Sequence, residues 1–235
     1  MKKRIVLGGI TGKMGSFLLP GLKTHPNFEV VAGLSQKENL SENIPIYSDP
    51  KKLLEQIEFD IYLDFTTYEF SMPVCEMMLE KGKPIVIGTT GFTKEDLDHL
   101  QKLARKTNTC GVIAPNFSLG ILLLHQFSKA ATKFFKNFAI YEYHHLTKHD
   151  NPSGTANYLV EAIDASIGKP ITDVHGMRLP GVLATHTVIM SDETQKVEIT
   201  HQSNNRYSFE EGVLLAMEKL DEIQDLVYGL EHILD

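Results

Sequence analysis

Three evenly spaced glycines, Gly9, Gly12 and Gly15, follow a short apolar segment at residues 4–7. The apolar segment is typical of a buried strand, and residues 13–24 carry apolar side chains at helical spacing. A glycine turn between a strand and a helix lets the backbone approach a pyrophosphate, which then faces the amides at the helix N-terminus. We therefore predict a dinucleotide-binding turn, with an ordinary glycine turn as the simpler alternative.

Strand and helix patterns alternate over the first half of the chain. The strands are predicted at residues 28–34, 60–65, 84–88 and 109–114, and the helices at 69–81 and 93–106. We expect Pro20 to bend or shorten the first helix, because proline cannot donate a backbone hydrogen bond. The alternation is typical of a parallel sheet that helices cover on both faces.

The pattern changes after Pro115. Segments follow in the order helix, strand, helix, strand, strand and helix, at residues 119–135, 138–145, from about Ser153, 181–191, 195–202 and 209–220. Because no helix separates the last two strands, we expect an antiparallel or mixed sheet. The chain is therefore predicted to form two lobes, with a boundary near residues 116–120.

Charge and hydropathy exclude several classes of partner. The chain has 30 acidic and 23 basic residues, so it lacks the overall positive charge that favours nucleic acid. Apolar runs such as residues 120–124 are far shorter than the roughly 18 residues of a membrane span. Glycines interrupt the apolar run near the N-terminus too early for a signal peptide. The chain has two cysteines, Cys75 and Cys110, which fit a reducing compartment. We predict a cytoplasmic protein without nucleic-acid or membrane partners.

The end of the second predicted strand bears on the choice of dinucleotide. An acidic residue that would bind the ribose 2′-hydroxyl, about 20 residues after the glycines, is missing. Ser35 or Gln36 occupies its place, and Lys13 and Lys37 are candidates to lie nearby. Since a lysine there would attract a 2′-phosphate, we predict that NADPH is used at least as well as NADH. Solvated lysines without a ligand are the alternative.

Two further segments follow strands at the sheet edge where doubly wound proteins bind ligands. Residues 88–91 follow one strand and residues 114–118 follow the next. Small and glycine-flanked residues at such positions let backbone groups reach a nicotinamide ring. Taken singly, each segment is also compatible with a plain turn.

Residues 142–156 carry the most informative group of titratable and polar side chains in the sequence. Three histidines and Lys148 fall within six positions, and Ser153 is a good N-cap for a following helix. The amides near Gly154 and Thr155 would then attract a carboxylate or a phosphate. Lys148 would supply steady positive charge, and a histidine that titrates near neutral pH can donate a proton.

Three other interpretations fit this stretch less well. A metal site is disfavoured, because no cysteine or paired acid completes a ligand set with the histidines, and we expect no metal. A serine hydrolase is disfavoured because Ser153 lacks the Gly-x-Ser-x-Gly elbow. A surface cluster without function becomes less favoured beside a nucleotide-binding turn.

These motifs together resemble those of the dihydrodipicolinate reductase (4-hydroxy-tetrahydrodipicolinate reductase) family, of the diaminopimelate route to lysine. The resemblance covers nearly the whole chain and is carried by residues 9–15, 64–66, 88–91, 114–120 and 142–156, and by Arg206, Phe209 and Gly212. The pattern His-His-x-x-Lys-x-Asp-x-Pro-Ser-Gly-Thr-Ala from His144 is highly specific. The departures are Lys13 and Leu146 in place of arginines, Asn151 in place of alanine, and Thr185 in place of glutamate.

The resemblance implies an α/β fold with a Rossmann-like dinucleotide-binding domain and an inserted α+β domain for substrate binding and oligomerisation. The expected ranges are 1–117 with 208–235 for the first domain and 118–207 for the second. The implied reaction is reduction of 4-hydroxy-tetrahydrodipicolinate to tetrahydrodipicolinate by hydride from NADPH or NADH. The implied partners are a small dicarboxylate substrate and the other subunits of a homotetramer.

Site residues follow from the same resemblance, position by position. His144 would be the proton donor and Lys148 its catalytic partner. The implied substrate-binding residues are His145, Ser153, Gly154 and Thr155. The implied cofactor-binding residues are Gly9, Ile10, Thr11, Gly12, Lys13, Met14, Ser35, Gly88, Thr89, Thr90, Ala114, Pro115, Asn116 and Phe117. Two alternatives stay open: a related nicotinamide-dependent reductase of another small carboxylated imine or aldehyde, and a dinucleotide sensor without catalysis.

Overall fold

The computed structural model describes residues 1–36 and 44–234. They form two compact units, one comprising Met1–Ala114 with Gly212–Asp235 and the other Pro115–Glu211. The expected domain ranges, 1–117 with 208–235 and 118–207, differ from these units by a few residues at each boundary.

The chain contains the following strands and helices. The strands are β1 Lys3–Gly8, β2 Phe28–Leu34, β3 Ile46–Tyr47, β4 Ile61–Asp64, β5 Ile85–Ile87, β6 Gly111–Ile113, β7 Asn137–His144, β8 Val174–Arg178, β9 Ala184–Ser191, β10 Lys196–Ser203 and β11 Leu226–Tyr228. The helices are α1 Lys13–Thr24, α2 Pro50–Gln56, α3 Tyr68–Glu80, α4 Lys94–Thr107, α5 Leu119–Ala131, α6 Gly154–Ile167 and α7 Glu210–Lys219. Within the described ranges, no helix is both long and apolar enough to cross a membrane.

The first unit contains a parallel sheet in the order β11-β6-β5-β4-β1-β2-β3. Its central strands are continuous apolar runs, and Ile5, Val6 and Leu7 of β1 are fully buried, as strands covered on both faces require. The C-terminal segment completes the sheet, since β11 pairs with β6. Because β1 lies between β2 and β4, the strand order reverses there, as in Rossmann folds. The predicted Rossmann-like fold is confirmed.

The second unit contains a sheet in the order β10-β9-β7-β8. β8 is parallel to β7 and the other pairs are antiparallel, so the sheet is mixed, as expected. Along β7 every second residue from Phe138 to His144 is buried, and the residues between are half-buried. The buried face of the sheet packs against α5 and α6 through residues such as Ile140, Leu124 and Leu159.

Most predicted elements lie where the sequence pattern placed them, but four short strands and α-helices of the described residues were not predicted. These are β3, α2, β8 and β11, which have two to seven residues each. Segments this short carry too few side chains for a clear period. We expected Pro20 to bend or shorten α1. Pro20 does not shorten the helix, which continues past it to Thr24 with the Pro20 ring exposed.

Candidate active site

A crevice of about 390 Å³ opens beyond the carboxyl ends of β1, β2 and β4. This is the point where the strand order of the sheet reverses, and α/β proteins bind ligands there. Its lining residues are Gly9, Thr11, Gly12, Leu34, Ser35, Gln36, Phe65, Thr66, Thr67 and Phe70. Four of the predicted cofactor-binding residues therefore line one cavity: Gly9, Thr11, Gly12 and Ser35.

The glycines of this turn are required by close contacts. Gly9 has φ +74°, which favours glycine, and a Cβ there would collide with the carbonyl of Phe65. A Cβ on Gly15 would collide with the carbonyl of Gly9. Gly12 caps α1 without a side chain, and the first turn of this fully described helix has no acidic residue. Its amides can therefore face an anion such as a pyrophosphate.

The other predicted residues of this turn lie in different environments. The Thr11 and Ser35 hydroxyls are 2.5 Å apart, which joins the ends of β1 and β2. Ile10 is fully buried against Gly33, so its side chain belongs to the core and only its backbone is available to a ligand. Lys13 is exposed and Met14 half-buried in the first turn of α1. Lys37 lies outside the described residues.

Asp64 is a fully buried carboxylate at the end of β4. It accepts hydrogen bonds from four hydroxyl groups: Tyr62 at 3.0 Å, Thr66 at 3.1 Å, Thr89 at 2.8 Å and Ser71. The Thr89 hydroxyl also accepts from the Thr66 amide, at 2.8 Å. Thr89, predicted to bind cofactor, thus links the ends of β4 and β5 through Asp64.

The neighbouring residues after β5 and β6 complete this edge. A Cβ on Gly88 would fall on the Phe65 ring, so glycine is needed there, whereas Thr90 is exposed. Ala114 is buried and its amide donates to Ile87, at 3.0 Å. Pro115, Asn116 and Phe117, which are predicted to bind cofactor, lie in the second unit.

Asn116 connects two predicted functions. Its side-chain amide donates to the Thr155 hydroxyl at 3.0 Å, and its side-chain carbonyl accepts from the Ser118 amide at 2.8 Å. A residue predicted to contact cofactor is therefore bonded to one predicted to bind substrate.

The predicted helix start at Ser153 is present. The Ser153 hydroxyl caps α6 by accepting from the Ala156 amide at 3.1 Å, and it donates to Glu142. The Ser153 amide also donates to Glu142, at 2.9 Å. Since Ser153 is buried and its hydroxyl is used inside the protein, the exposed Gly154 and half-buried Thr155 remain the groups available to a ligand.

His144 lies on the buried face of β7 together with Glu142. The Glu142 carboxylate is 3.7 Å from His144 Nδ1 and 3.5 Å from His186 Nε2, on β9. The His144 and His186 rings meet edge to face, with centroids 5.1 Å apart. His145 is half-buried and its Nδ1 lies 2.8 Å from the Thr147 hydroxyl.

The environment of His144 corrects the expectation that it titrates near neutral pH. Burial, followed by the neighbouring His186, lowers the pKa of His144 to about 4, although Glu142 acts to raise it. The imidazole is therefore neutral at pH 7 in the protein without a ligand. Burial would raise the pKa of Glu142, but hydrogen bonds from His186 and Ser153 outweigh it and lower that pKa to about 2.

Lys148 is held by a carboxylate beside the start of α6. Its Nζ lies 2.9 Å from Asp150 Oδ2, and the same oxygen accepts from the Gly154 amide at 3.2 Å. Arg178 of β8 fixes this loop by donating to the carbonyls of Lys148, at 3.2 Å, and Asp150. The exposed Asp150 carboxylate thus occupies the Lys148 ammonium group, predicted as the catalytic partner of His144, and the Gly154 amide, predicted to bind substrate.

The same cluster bears on the expectation that no metal binds. Glu142, His144 and His186 offer ligand atoms within 4.8 Å of one another, so they could hold a metal ion. The sequence argument was that no cysteine or paired acid completes a ligand set, whereas the fold brings Glu142 close to His144 and His186. However, the Glu142 oxygens already accept hydrogen bonds from Ser153 and Arg178, which a metal would have to displace.

Sequence reasoning gave no role to Asp64, Glu142, Arg178 or His186. Glu142 had a usable signal, because it stands two residues before His144 and strand alternation places both on one face. Arg178 and His186 had no such signal, since they come from β8 and β9 and reach Glu142 only through strand pairing.

Comparisons with known proteins agree on one family. Residues 3–117 match the family model "Dihydrodipicolinate reductase, N-terminus", and residues 120–234 match "Dihydrodipicolinate reductase, C-terminus". The chain is 39% identical to 4-hydroxy-tetrahydrodipicolinate reductase of Lactococcus lactis subsp. cremoris (strain SK11), covering 100% of this chain and 98% of the relative. The Bacillus cytotoxicus protein of the same name is 35% identical, covering 99% and 98%.

A solved structure is also similar over the whole chain. It is dipicolinate-bound dihydrodipicolinate reductase from Paenisporosarcina sp. TG-14, with a TM-score of 0.87 and 32% identity, covering 100% of each chain.

Proposed function

Since the chain belongs to the dihydrodipicolinate reductase family, we propose that its second unit binds the dicarboxylate substrate at the N-terminus of α6 and protonates it from His144. The chain is an oxidoreductase that uses NADH or NADPH, and its function is the reduction of 4-hydroxy-tetrahydrodipicolinate in lysine biosynthesis.

One observation carries the assignment of the substrate site. The exposed Gly154 amide, the half-buried Thr155 hydroxyl and the Lys148 ammonium group belong to the start of α6 and the loop before it. A helix N-terminus and a cation both favour a carboxylate, and His145 adds a donor close in sequence. We infer that a substrate carboxylate displaces Asp150 from Lys148 and Gly154. The dipicolinate bound to the Paenisporosarcina relative is itself a dicarboxylate.

Proton donation then depends on the bound substrate. A dianion close to His144 would raise the pKa of its imidazole, because nearby negative charge stabilises the protonated form. Negative charge develops on the substrate during reduction, and a protonated His144 would neutralise it. Lys148 would provide positive charge that stays constant through the reaction.

The crevice of the first unit fits the cofactor. Glycines at positions 9, 12 and 15 leave room for a backbone approach to a pyrophosphate, and the open amides of α1 would bind it. When bound, the nicotinamide supplies hydride. Ser35 and the exposed Lys13 support our proposal that NADPH is used at least as well as NADH. A strong preference for NADH in steady-state kinetics would contradict that proposal.

We further propose a homotetramer in the cytoplasm. The face of the mixed sheet that α5 and α6 leave uncovered carries Tyr141, Tyr143, Ile189 and Met177, which supports an interface between copies of the chain. Cys75 and Cys110 are free thiols, which supports a reducing compartment. Analytical ultracentrifugation of the purified protein tests the tetramer.

A coupled assay tests the function. The substrate is generated from aspartate semialdehyde and pyruvate by the preceding synthase, and nicotinamide absorbance is followed. We expect turnover with both NADPH and NADH, and inhibition by dipicolinate that competes with substrate. Cofactor binding without turnover would indicate a sensor, and turnover only with another carboxylated imine or aldehyde would indicate a related reductase.

A further inference from the structure

We propose that Glu142 is a positioning residue of this reductase, which holds His144 and the N-terminus of α6 in their working arrangement. The proposal rests on the proposed function, because it assumes that His144 donates the proton. Glu142 itself is fully buried and is not placed to touch substrate.

Each oxygen of the Glu142 carboxylate has its own partners. Oε1 accepts from the Ser153 amide at 2.9 Å and from Arg178 Nη2 at 3.3 Å. Oε2 accepts from the Ser153 hydroxyl and lies 3.5 Å from His186 Nε2 and 3.7 Å from His144 Nδ1. A buried carboxylate with this many donors is held in one orientation, so it fixes the groups around it.

These contacts join three parts of the candidate site. Ser153 is the cap of α6, where the substrate carboxylate is proposed to bind. Arg178 links Glu142 to the backbone of Lys148 and Asp150, and so to the loop that carries the proposed cation. His144 is the proposed donor. Loss of the carboxylate would therefore affect all three groups at once.

The fold also makes room for this carboxylate. Gly176 pairs with Glu142 across β7 and β8, and a Cβ at Gly176 would lie 2.8 Å from Glu142 Oε1 and would also collide with Asn151. Glycine on this strand thus allows the side chain of Glu142 to lie between Ser153 and Arg178.

The pKa of His144 distinguishes this proposal from a purely structural role of Glu142, which would leave that pKa unchanged. The charged or titratable groups around His144 are Glu142 on the same strand, His186 on β9, Arg178 on β8 and Lys148 in the following loop. Glu142 raises the pKa of His144, whereas His186, Lys148 and Arg178 lower it. Removal of Glu142 and removal of His186 should therefore move the titration of His144 in opposite directions.

The experiment compares Glu142→Gln, His186→Gln and a surface control, Glu198→Gln, whose side chain pairs with Lys196 on β10. We expect Glu142→Gln to lower kcat about 100-fold, since small displacements of catalytic groups cost that much, with an unchanged KM for NADH. The alkaline limb of its kcat–pH profile should move to lower pH. In His186→Gln the limb should move to higher pH, and Glu198→Gln should match the wild type.

Wild-type kcat and an unmoved pH limb in Glu142→Gln would overturn the proposal. If circular dichroism shows that Glu142→Gln does not fold, His186→Gln decides, and an unmoved limb there overturns the proposal. A wild-type protein without turnover would instead contradict the proposed function, so the two failures are distinguishable.

Discussion

Each unit buries a carboxylate beside its candidate site, and the two carboxylates are stabilised by different donors. Asp64, in the first unit, accepts from four neutral hydroxyls. Glu142, in the second, is surrounded by Ser153, by Arg178 and by two imidazoles. Hydroxyl donors fix geometry without adding charge, whereas imidazoles gain or lose protons in response to a carboxylate. The first arrangement fixes the strand ends beside the crevice, whereas we expect the second also to influence the proposed proton transfer from His144.

The largest expected effect lies in the second unit. His144→Gln and Lys148→Ala should each lower kcat by about 100-fold or more. The first substitution removes the proposed proton donor, and the second removes the positive charge proposed to act beside it. The affinity for NADH, measured by fluorescence titration, should stay nearly unchanged. Lys196→Ala, at an exposed position of β10, is the matched control. Near-normal turnover in either variant would refute the role assigned to that residue.

Asp64→Asn probes the other carboxylate. The amide cannot accept from all four hydroxyls, so the ends of β4 and β5 should loosen and the KM for NADH should rise about tenfold. We expect kcat at saturating cofactor to change little and its pH limb to stay in place. A moved pH limb would break the contrast with Glu142, because it would give Asp64 a role in proton transfer.

Thr155→Val tests the substrate end of α6 with a smaller change. Loss of one hydroxyl hydrogen bond is worth about 1 kcal/mol, so dipicolinate should bind about fivefold more weakly. Isothermal titration calorimetry would measure this, with NADH as the second ligand. Equal loss of affinity for both ligands would point to disturbed folding, since the Asn116 contact would also be lost.

An effect of similar size to that of Thr155→Val is expected on stability in mild acid. The folded-state pKa of His144, about 4, lies below the ordinary 6.5, so the unfolded chain binds more protons as the pH falls. The stability that the neutral, buried His144 contributes to the folded state is fully present above pH 6.5. It is lost progressively as the pH falls from 6.5 towards 4. Glu142, lowered from 4.5 to about 2, adds a further loss below pH 4.5.

Urea unfolding at pH 7 and pH 5.5 would measure the His144 contribution. We expect the free energy of unfolding of the wild type to fall by about 1 kcal/mol more than that of His144→Gln over this interval. An equal loss in both proteins would show that His144 is not held neutral.

Features of this protein that depend on near neighbours were predictable from its amino-acid sequence. The turn at residues 9–15 and the cap at Ser153 were predictable because glycine conformations and N-caps are set within a few residues. The alternating strands and helices of the first unit followed from the periods of their apolar side chains. The residues that carry the family resemblance lie in the same local segments.

Features that depend on residues far apart in the chain arise only in the packed fold. The short strands β3, β8 and β11 exist because neighbouring strands supply their hydrogen bonds, which no local period reveals. Glu142 is 36 residues from Arg178 along the chain, and only the pairing of β7 with β8 brings the two charges together. The low pKa of His144 likewise comes from burial and from His186, and burial is a property of the packed fold.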